Sequence, residues 1–308
     1  MRFAPELKRM VVMLRKLRIA VKLLIYKLFA KRVRLIGDEP YGKLLFFITF
    51  GRCADYDSPK TFNEYICARK SRRDEYDLWQ YTDKYEVREY VRETVGEQYL
   101  NEVYGVFGDY DEIDFDVLPD RFALRCTHGS GMNMIVTDKA AIDHKKAKKK
   151  FQKWLKQNFY YLAREKNYYK IPPRIICDKF LMCRAQEGVP EAKVFCFSGK
   201  AKFVSYNMVV NGKTYTNYYD ENWDPIDVQI GYPPYPQATA PDNGEELLRI
   251  AERLASKFDF VRVDLYNIDG SILFSELTFH SGGGLVPFSP AEYDEKFARF
   301  FVELENPV

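Results

Sequence analysis

The densest set of reactive side chains lies near the C-terminal end. Phe260-Val-Arg262-Val-Asp264-Leu-Tyr266 alternates polar and apolar positions, the period of a strand with one face buried. Arg262, Asp264 and Tyr266 then share a face, and Val261, Val263 and Leu265 share the other. After a turn at Asp269-Gly270, Phe274, Glu276 and Thr278 form the alternate set of the returning strand. A three-residue loop (Asp269, Gly270, Ser271) pairs Asp264 with Glu276 and Arg262 with Thr278, whereas a two-residue loop puts the carboxylates on opposite faces. We expect the three-residue loop. Opposed carboxylates repel unless a cation sits between them, and Mg²⁺, which takes one or two carboxylates plus phosphate oxygens, suits that gap. The bland alternative is an exposed hairpin with solvated acids. Arg, Asp and Glu on one face, beside the run Ser281-Gly-Gly-Gly284, argue against it.

A second set precedes it in the chain. Arg121-Phe-Ala-Leu-Arg125-Cys126 reads as a strand emptying into His128-Gly129-Ser130-Gly131, where successive backbone N–H groups can cradle phosphate oxygens. Taken alone the loop is as readily an ordinary turn. Arg125 beside it adds a fixed positive charge with the reach for a phosphate. Lys84 follows a helix start at Thr82-Asp83, where Thr82 or Asp83 can cap, and is a further phosphate candidate. His128 and His280 both adjoin glycine loops; each is as readily a neutral structural ring as a substrate contact.

These residues need a scaffold of hairpins and helices. Helical patterns cover about 61–73, 83–93, 143–158, 245–257 and 290 onward, and strand-like runs cover 174–181, 193–197, 201–209 and the hairpin 260–279. Residues 36–60 read as mixed and turn-rich, 199–200 as a hairpin turn, and the proline-rich stretch 231–244 as a connector. The mixture is α+β with antiparallel sheets. In 308 residues, 46% apolar and 16% aromatic, there is ample core for one large domain or two lobes around a cleft. A formal charge of +3 gives no argument for nucleic acid. Six scattered cysteines with no paired spacing suit core thiols in a reducing compartment, not a disulfide framework or a zinc site.

Residues 1–35 hold about eleven Lys and Arg against one acid, Glu6. Leu7, Met10, Leu14, Leu17, Val21, Leu24 and Leu28 make an apolar stripe at helical spacing, and basic residues interrupt every run well short of the ~20 needed to cross a bilayer. A helix packed on the body and one lying on an anionic membrane surface both remain open. The lysine cluster at 145–150 reads as a solvated helix face.

Taken in order, these pieces resemble the ATP-grasp superfamily. More narrowly, Pro59-Lys-Thr-Phe-Asn-Glu64, Asp83-Lys-Tyr-Glu-Val-Arg88, Cys126-Thr-His128, Phe195-Cys-Phe-Ser-Gly-Lys200 and Glu276-Leu-Thr-Phe279 resemble the TupA-like (teichuronopeptide biosynthesis) ATP-grasp family over roughly residues 55–300. The chain then divides into the basic helical segment (1–35), a short lead-in (36–80) and, as the resemblance implies, an ATP-grasp domain (81–308) with lobes of about 81–175 and 176–308. The resemblance also implies ATP and Mg²⁺ as cofactors, with Lys84, Arg125 and His128-Gly129-Ser130-Gly131 at the phosphates and Asp178 in the hinge strand that cups adenine. Glu187 and Lys193 become ribose and phosphate contacts, and Asp264, Glu276 and Thr278 the metal set. Arg262 becomes the catalytic charge. Three departures stand out: Arg125 where Lys is general, Asp178 where Glu is usual, and Thr278 where Asn completes the metal set.

The implied activity is ATP-dependent activation of a carboxylate as an acyl phosphate, then amide formation. The substrate would be a surface-polysaccharide saccharide or an amino acid, with the protein cytoplasmic or peripheral at the inner membrane face. Rival readings are a sugar-nucleotide glycosyltransferase, an ATP-dependent glycan kinase and an assembly protein with a degenerate ATP site. The first would need an acidic metal motif such as Asp114-Phe-Asp116, which reads here as a turn.

Overall fold

The computed structural model describes residues 36–72, 74–184 and 187–305. Its first sheet has four antiparallel strands, β1 (Val103–Phe107), β2 (Phe122–Cys126), β3 (Asn133–Val136) and β4 (Ile175–Lys179), in the order β1-β4-β2-β3. Strand alternation decides which side is dry. Leu124 and Cys126 of β2 and Ile175 and Cys177 of β4 join Phe151, on the helix His144–Leu155, in one core. Arg125 and Asp178 therefore face the other way, towards the second sheet.

That sheet is built on three two-residue hairpin turns. β5 (Glu187–Phe197), β6 (Lys200–Val210) and β7 (Lys213–Asp220) run in sequence to β8 (Pro225–Ile226), while β10 (Phe260–Ile268) and β11 (Ser271–Thr278) add on the β5 side. The turns Ser198-Gly199, Asn211-Gly212 and Asp269-Gly270 all hold φ between 45° and 85°. This left-handed conformation is what a tight hairpin matched to strand twist requires at both central residues. A small ladder joins β9 (Gln229–Ile230) to β12 (Phe288–Ser289).

Val194, Val204, Val261 and Val263 on one face of the sheet pack against the helices Gly244–Ala255 and Val87–Thr94. At one end the opposite face is aromatic. The Phe62 ring lies 5.6–6.2 Å from those of Phe195, Phe203, Phe260, Phe288 and Phe301, tying the helices Phe62–Arg69 and Glu292–Glu305 to the sheet. A capping box fixes the start of Phe62–Arg69, the Thr61 hydroxyl accepting from the Glu64 N–H while Glu64 accepts from the Thr61 N–H.

Several expectations change. Residues 38–50 form a helix, not turns: Asp38 and Glu39 lie in its first turn, favourable to the helix dipole, and Gly51 ends it at φ 76°. The strand β7 was not foreseen, and the hairpin turn expected at 199–200 lies at 198–199. The loop between β10 and β11 has two residues, because Ile268 pairs with Ser271. The basic segment 1–35 lies outside the described residues, among which no helix is long and apolar enough to cross a membrane. Cys126, Cys177 and Cys196 are buried and free, as core thiols should be.

Candidate functional site

With a two-residue turn, regular pairing would turn Glu276 away from Asp264. A bulge on β11 prevents this. Leu265 pairs with Phe274 but Asp264 pairs with Glu276, leaving Ser275 as the extra residue. The bulge restores the same-face arrangement, with Arg262 opposite Thr278. On the other flank of β10, Lys193 of β5 stands opposite Asp264. One row of facing residues thus crosses three strands, Lys193–Asp264–Glu276.

Asp264 is fully buried and is the hub of this row. Arg262 grips it through two hydrogen bonds of 2.7 Å, Nε to Oδ1 and Nη2 to Oδ2, the forked geometry that makes guanidinium–carboxylate pairs strong. Lys193 Nζ donates to Oδ2 at 2.7 Å and also lies 2.7 Å from Glu191. Burial alone would raise the Asp264 pKa, but Arg262 and Lys193 outweigh it and hold the carboxyl below its usual range. The Arg262 Nη1 donates to Ser281 and Nη2 also to Thr278, both at 3.0 Å. Thr278 donates to Glu276 Oε1 at 3.1 Å, and the Arg262 guanidinium stands 3.6 Å from that oxygen. Glu276 is the open member of the set, its side chain about a third exposed at 36%.

Glu276 is also where the two sheets meet electrostatically. Its charge is felt by Arg262 and Lys193 on its own sheet, and by Lys84 and Arg125 from the first lobe. Lys84 donates to the Gly129 carbonyl at 2.7 Å, and burial depresses its pKa. Asp83 caps the turn before it, accepting from the N–H groups of Tyr85 and Glu86, and Arg174 clamps Asp83 and Glu86 at 2.8 Å each. Arg125 Nε donates to Asp178 at 2.7 Å, an ion pair between the neighbouring strands β2 and β4. Asp178 keeps its other oxygen buried without a partner.

The remaining candidates lie elsewhere. His128 points into the first lobe, with Nε2 3.1 Å from the Trp154 carbonyl, and burial depresses its pKa. Ser130 and Gly131 are exposed, Gly131 at φ 69°. Glu187 is exposed and accepts from the Gly212 N–H at 2.8 Å, apart from the cluster. Glu191, not singled out in the sequence, is the carboxylate beside Lys193; its place two residues earlier on the same strand face was the available signal. His280 is buried 3.2 Å from Glu75 and 3.8 Å from Glu165. The glycine run serves packing at one position: a Cβ on Gly284 would lie 2.6 Å from Cys67 Sγ and 2.7 Å from the Asn63 carbonyl. Asp116 sits in a turn, as read.

Among the described residues no three His, Cys, Asp or Glu side chains make a ready cage for a metal. Mg²⁺ does not need one, because it binds through one or two carboxylates plus phosphate and water oxygens. Asp264, Glu276 and Glu191 carry three negative charges against the two positive charges of Arg262 and Lys193. The partly open Glu276 beside that excess fits a hard cation arriving with phosphate.

A family model described as TupA-like ATPgrasp matches residues 64–302, most of the chain. The chain belongs to the TupA-like ATP-grasp family. In this ATP-grasp chain the antiparallel strands β10 and β11 carry the Arg262–Asp264–Glu276 cluster. Among solved structures it is similar to D-alanine–D-alanine ligase from Helicobacter pylori (14% identity, 74% of this chain and 59% of that one, TM-score 0.40). It is also similar to an ADP complex of the N5-carboxyaminoimidazole ribonucleotide synthetase purK (13%, 65% and 45%, 0.39). A third is the ATP-grasp ligase PsnB with a precursor variant, Mg and ADP (9%, 66% and 52%, 0.37). The chain spans about half the length of these proteins. No curated protein matches it.

Proposed function

We propose that this protein is an ATP-dependent ligase that activates a carboxylate as an acyl phosphate and passes it to an amine. The observation that carries the reading is the convergence on Glu276 of Lys84 and Arg125 from one lobe and Arg262 and Lys193 from the other. These four cations interleave with the carboxylates Asp264, Glu276, Glu191 and Asp178, a mixed-charge cluster that suits a polyphosphate arriving with its metal. Lys84 and Arg125 hold phosphate oxygens, with Gly129-Ser130-Gly131 offering backbone N–H groups. Asp264 and Glu276, assisted by Thr278, hold Mg²⁺, which screens phosphate charge when bound.

Arg262 is held rigid by four hydrogen bonds, so its charge is pre-organised where negative charge develops on the transferring phosphoryl group. Positioning and electrostatics suffice, and no nucleophilic side chain is required. The acceptor we favour, on family resemblance, is a saccharide or amino-acid carboxylate of a surface polymer, handled at the inner membrane face.

The test is isotopic. Carboxylates labelled with ¹⁸O are offered with Mg²⁺-ATP and an amine panel. Transfer of one label to released phosphate, dependent on both co-substrates, is the expected result. Phosphorylation of a hydroxyl with no label transfer would replace the ligase reading with a kinase.

A further inference from the structure

A groove of about 710 Å³ lies away from the Arg262–Asp264–Glu276 cluster. It lies across the second sheet, where Tyr206 and Met208 present the face opposite to Ser205 and Asn207. The connector 235–243 and the β10–β11 turn form its other walls. Its size falls within the ~300–1,000 Å³ typical of small-molecule sites. Among the described residues, the lining contains three carboxylates, Glu187, Asp242 and Asp269, and no Lys, Arg or His. Asn211, Gln237, Asn243 and Asn267 add four side-chain amides, and the half-buried Tyr235 adds a ring.

We infer that this groove is a second ligand site, for a small cationic molecule rich in hydroxyl or amide groups, and that its occupancy is felt at the nucleotide cleft. Carboxylates without a base exclude phosphate-bearing and carboxylate-bearing ligands and favour an ammonium. Side-chain amides both donate and accept, which matches hydroxyl and acetamido groups. The polar wall is pre-formed: Asn243 and Asn267 bond each other at 2.8 and 3.1 Å, Asn267 also reaches Tyr206, and Asn243 holds the Gly270 carbonyl.

The link to the cleft is Asp269. Its carboxylate lines the groove, accepts from the Arg184 N–H at 3.1 Å, and lies 3.1 Å from Cys183 Sγ. It therefore pins the segment that leaves the first lobe to the hairpin carrying Arg262, Asp264 and Glu276. Glu187, read from the sequence as a ribose contact, lies on this groove.

The test uses the full chain and three probes of similar size and different charge: glucosamine, N-acetylglucosamine and glucose 6-phosphate. Binding is followed by saturation-transfer NMR, and the affinity for Mg²⁺-ADP is titrated with and without saturating glucosamine. Glucosamine should bind most tightly, N-acetylglucosamine more weakly, and glucose 6-phosphate not at all. Asp242→Lys, an exposed change that sets an ammonium at the rim, should weaken glucosamine at least tenfold while leaving the Mg²⁺-ADP affinity of the ligand-free protein unchanged. Saturating glucosamine should shift the Mg²⁺-ADP affinity at least threefold, with a reciprocal effect on glucosamine. Glucose 6-phosphate binding as well as glucosamine, no binding of any probe at 50 mM, or indifference of Asp242→Lys would overturn the site. An unchanged Mg²⁺-ADP affinity would overturn the coupling. Probe binding is read without nucleotide, so its failure is separate from any failure of the ligase reading.

Discussion

Asp264→Asn keeps the shape of the hub side chain and removes its charge, leaving Arg262 and Lys193 facing a neutral amide. The stranded cations are poorly solvated, with side-chain exposures of 12% and 19%. Removing one partner of such a buried cluster costs about 3–5 kcal/mol. Glu191, 2.7 Å from Lys193, and Glu276, 3.6 Å from Arg262, recover part of that, so we take about 3 kcal/mol. For a chain of 308 residues, an unfolding entropy of about 2.1 cal/mol/K per residue turns this into a melting shift of about 5 °C.

Glu276→Gln is the control. Its carboxylate is 36% exposed and, among the described residues, its ion-pair partner is the Arg262 guanidinium at 3.6 Å, so solvent screening limits its loss to under ~1 kcal/mol. Scanning fluorimetry with and without Mg²⁺-ADP separates the two effects. Asp264→Asn should lower the melting temperature of the ligand-free protein and Glu276→Gln hardly at all, while both lose the Mg²⁺-dependent nucleotide shift. If Asp264→Asn melts within about 1 °C of wild type, or Glu276→Gln falls as far, the hub argument is wrong.

Arg125→Met leaves Asp178, 2% exposed, without its 2.7 Å partner; it should cost about 3 kcal/mol in urea unfolding and weaken nucleotide binding. Phe62→Ala removes the ring around which five others gather and should cost about 3–5 kcal/mol by the same measurement. His128 and Asp264 both contribute to the acid side of the stability curve. The fold favours neutral His128, so the unfolded chain takes up the extra proton below about pH 6.5 and stability falls as pH drops through that range. Denaturant curves at pH 7 and 5.5 should show wild type losing more than His128→Gln. Asp264, depressed in the fold, contributes fully above about pH 4 and loses its contribution as pH falls through its folded value. Asp264→Asn should therefore flatten the stability loss below pH 4, as followed by circular dichroism.

Strand alternation made the Arg262, Asp264, Glu276 and Thr278 face legible, because a half-buried strand writes its buried side into every second residue. The pairing was right for the wrong reason. No local pattern distinguishes a three-residue loop from a two-residue turn followed by a bulge at Ser275, and both give the same face. β7 was missed because Tyr215, Tyr218 and Tyr219 break a clean alternation, although Asn211-Gly212 is a strong hairpin signal. The helix 38–50 was hidden by reading residues 36–60 as turn-rich, when acids and proline at a first turn, as at Asp38, Glu39 and Pro40, also start helices. The Arg125–Asp178 bond and the orientation of His128 depend on contacts 53 and 26 residues apart in the chain, which no local spacing encodes.

The central claim is that the cleft around Glu276 binds a nucleotide polyphosphate through Mg²⁺. Isothermal titration of ADP into the full-length protein, with and without Mg²⁺, tests it most directly. The account predicts saturable binding that needs Mg²⁺ and disappears in Glu276→Gln. Absence of ADP binding at millimolar concentration, with a UDP-sugar binding instead, would contradict it.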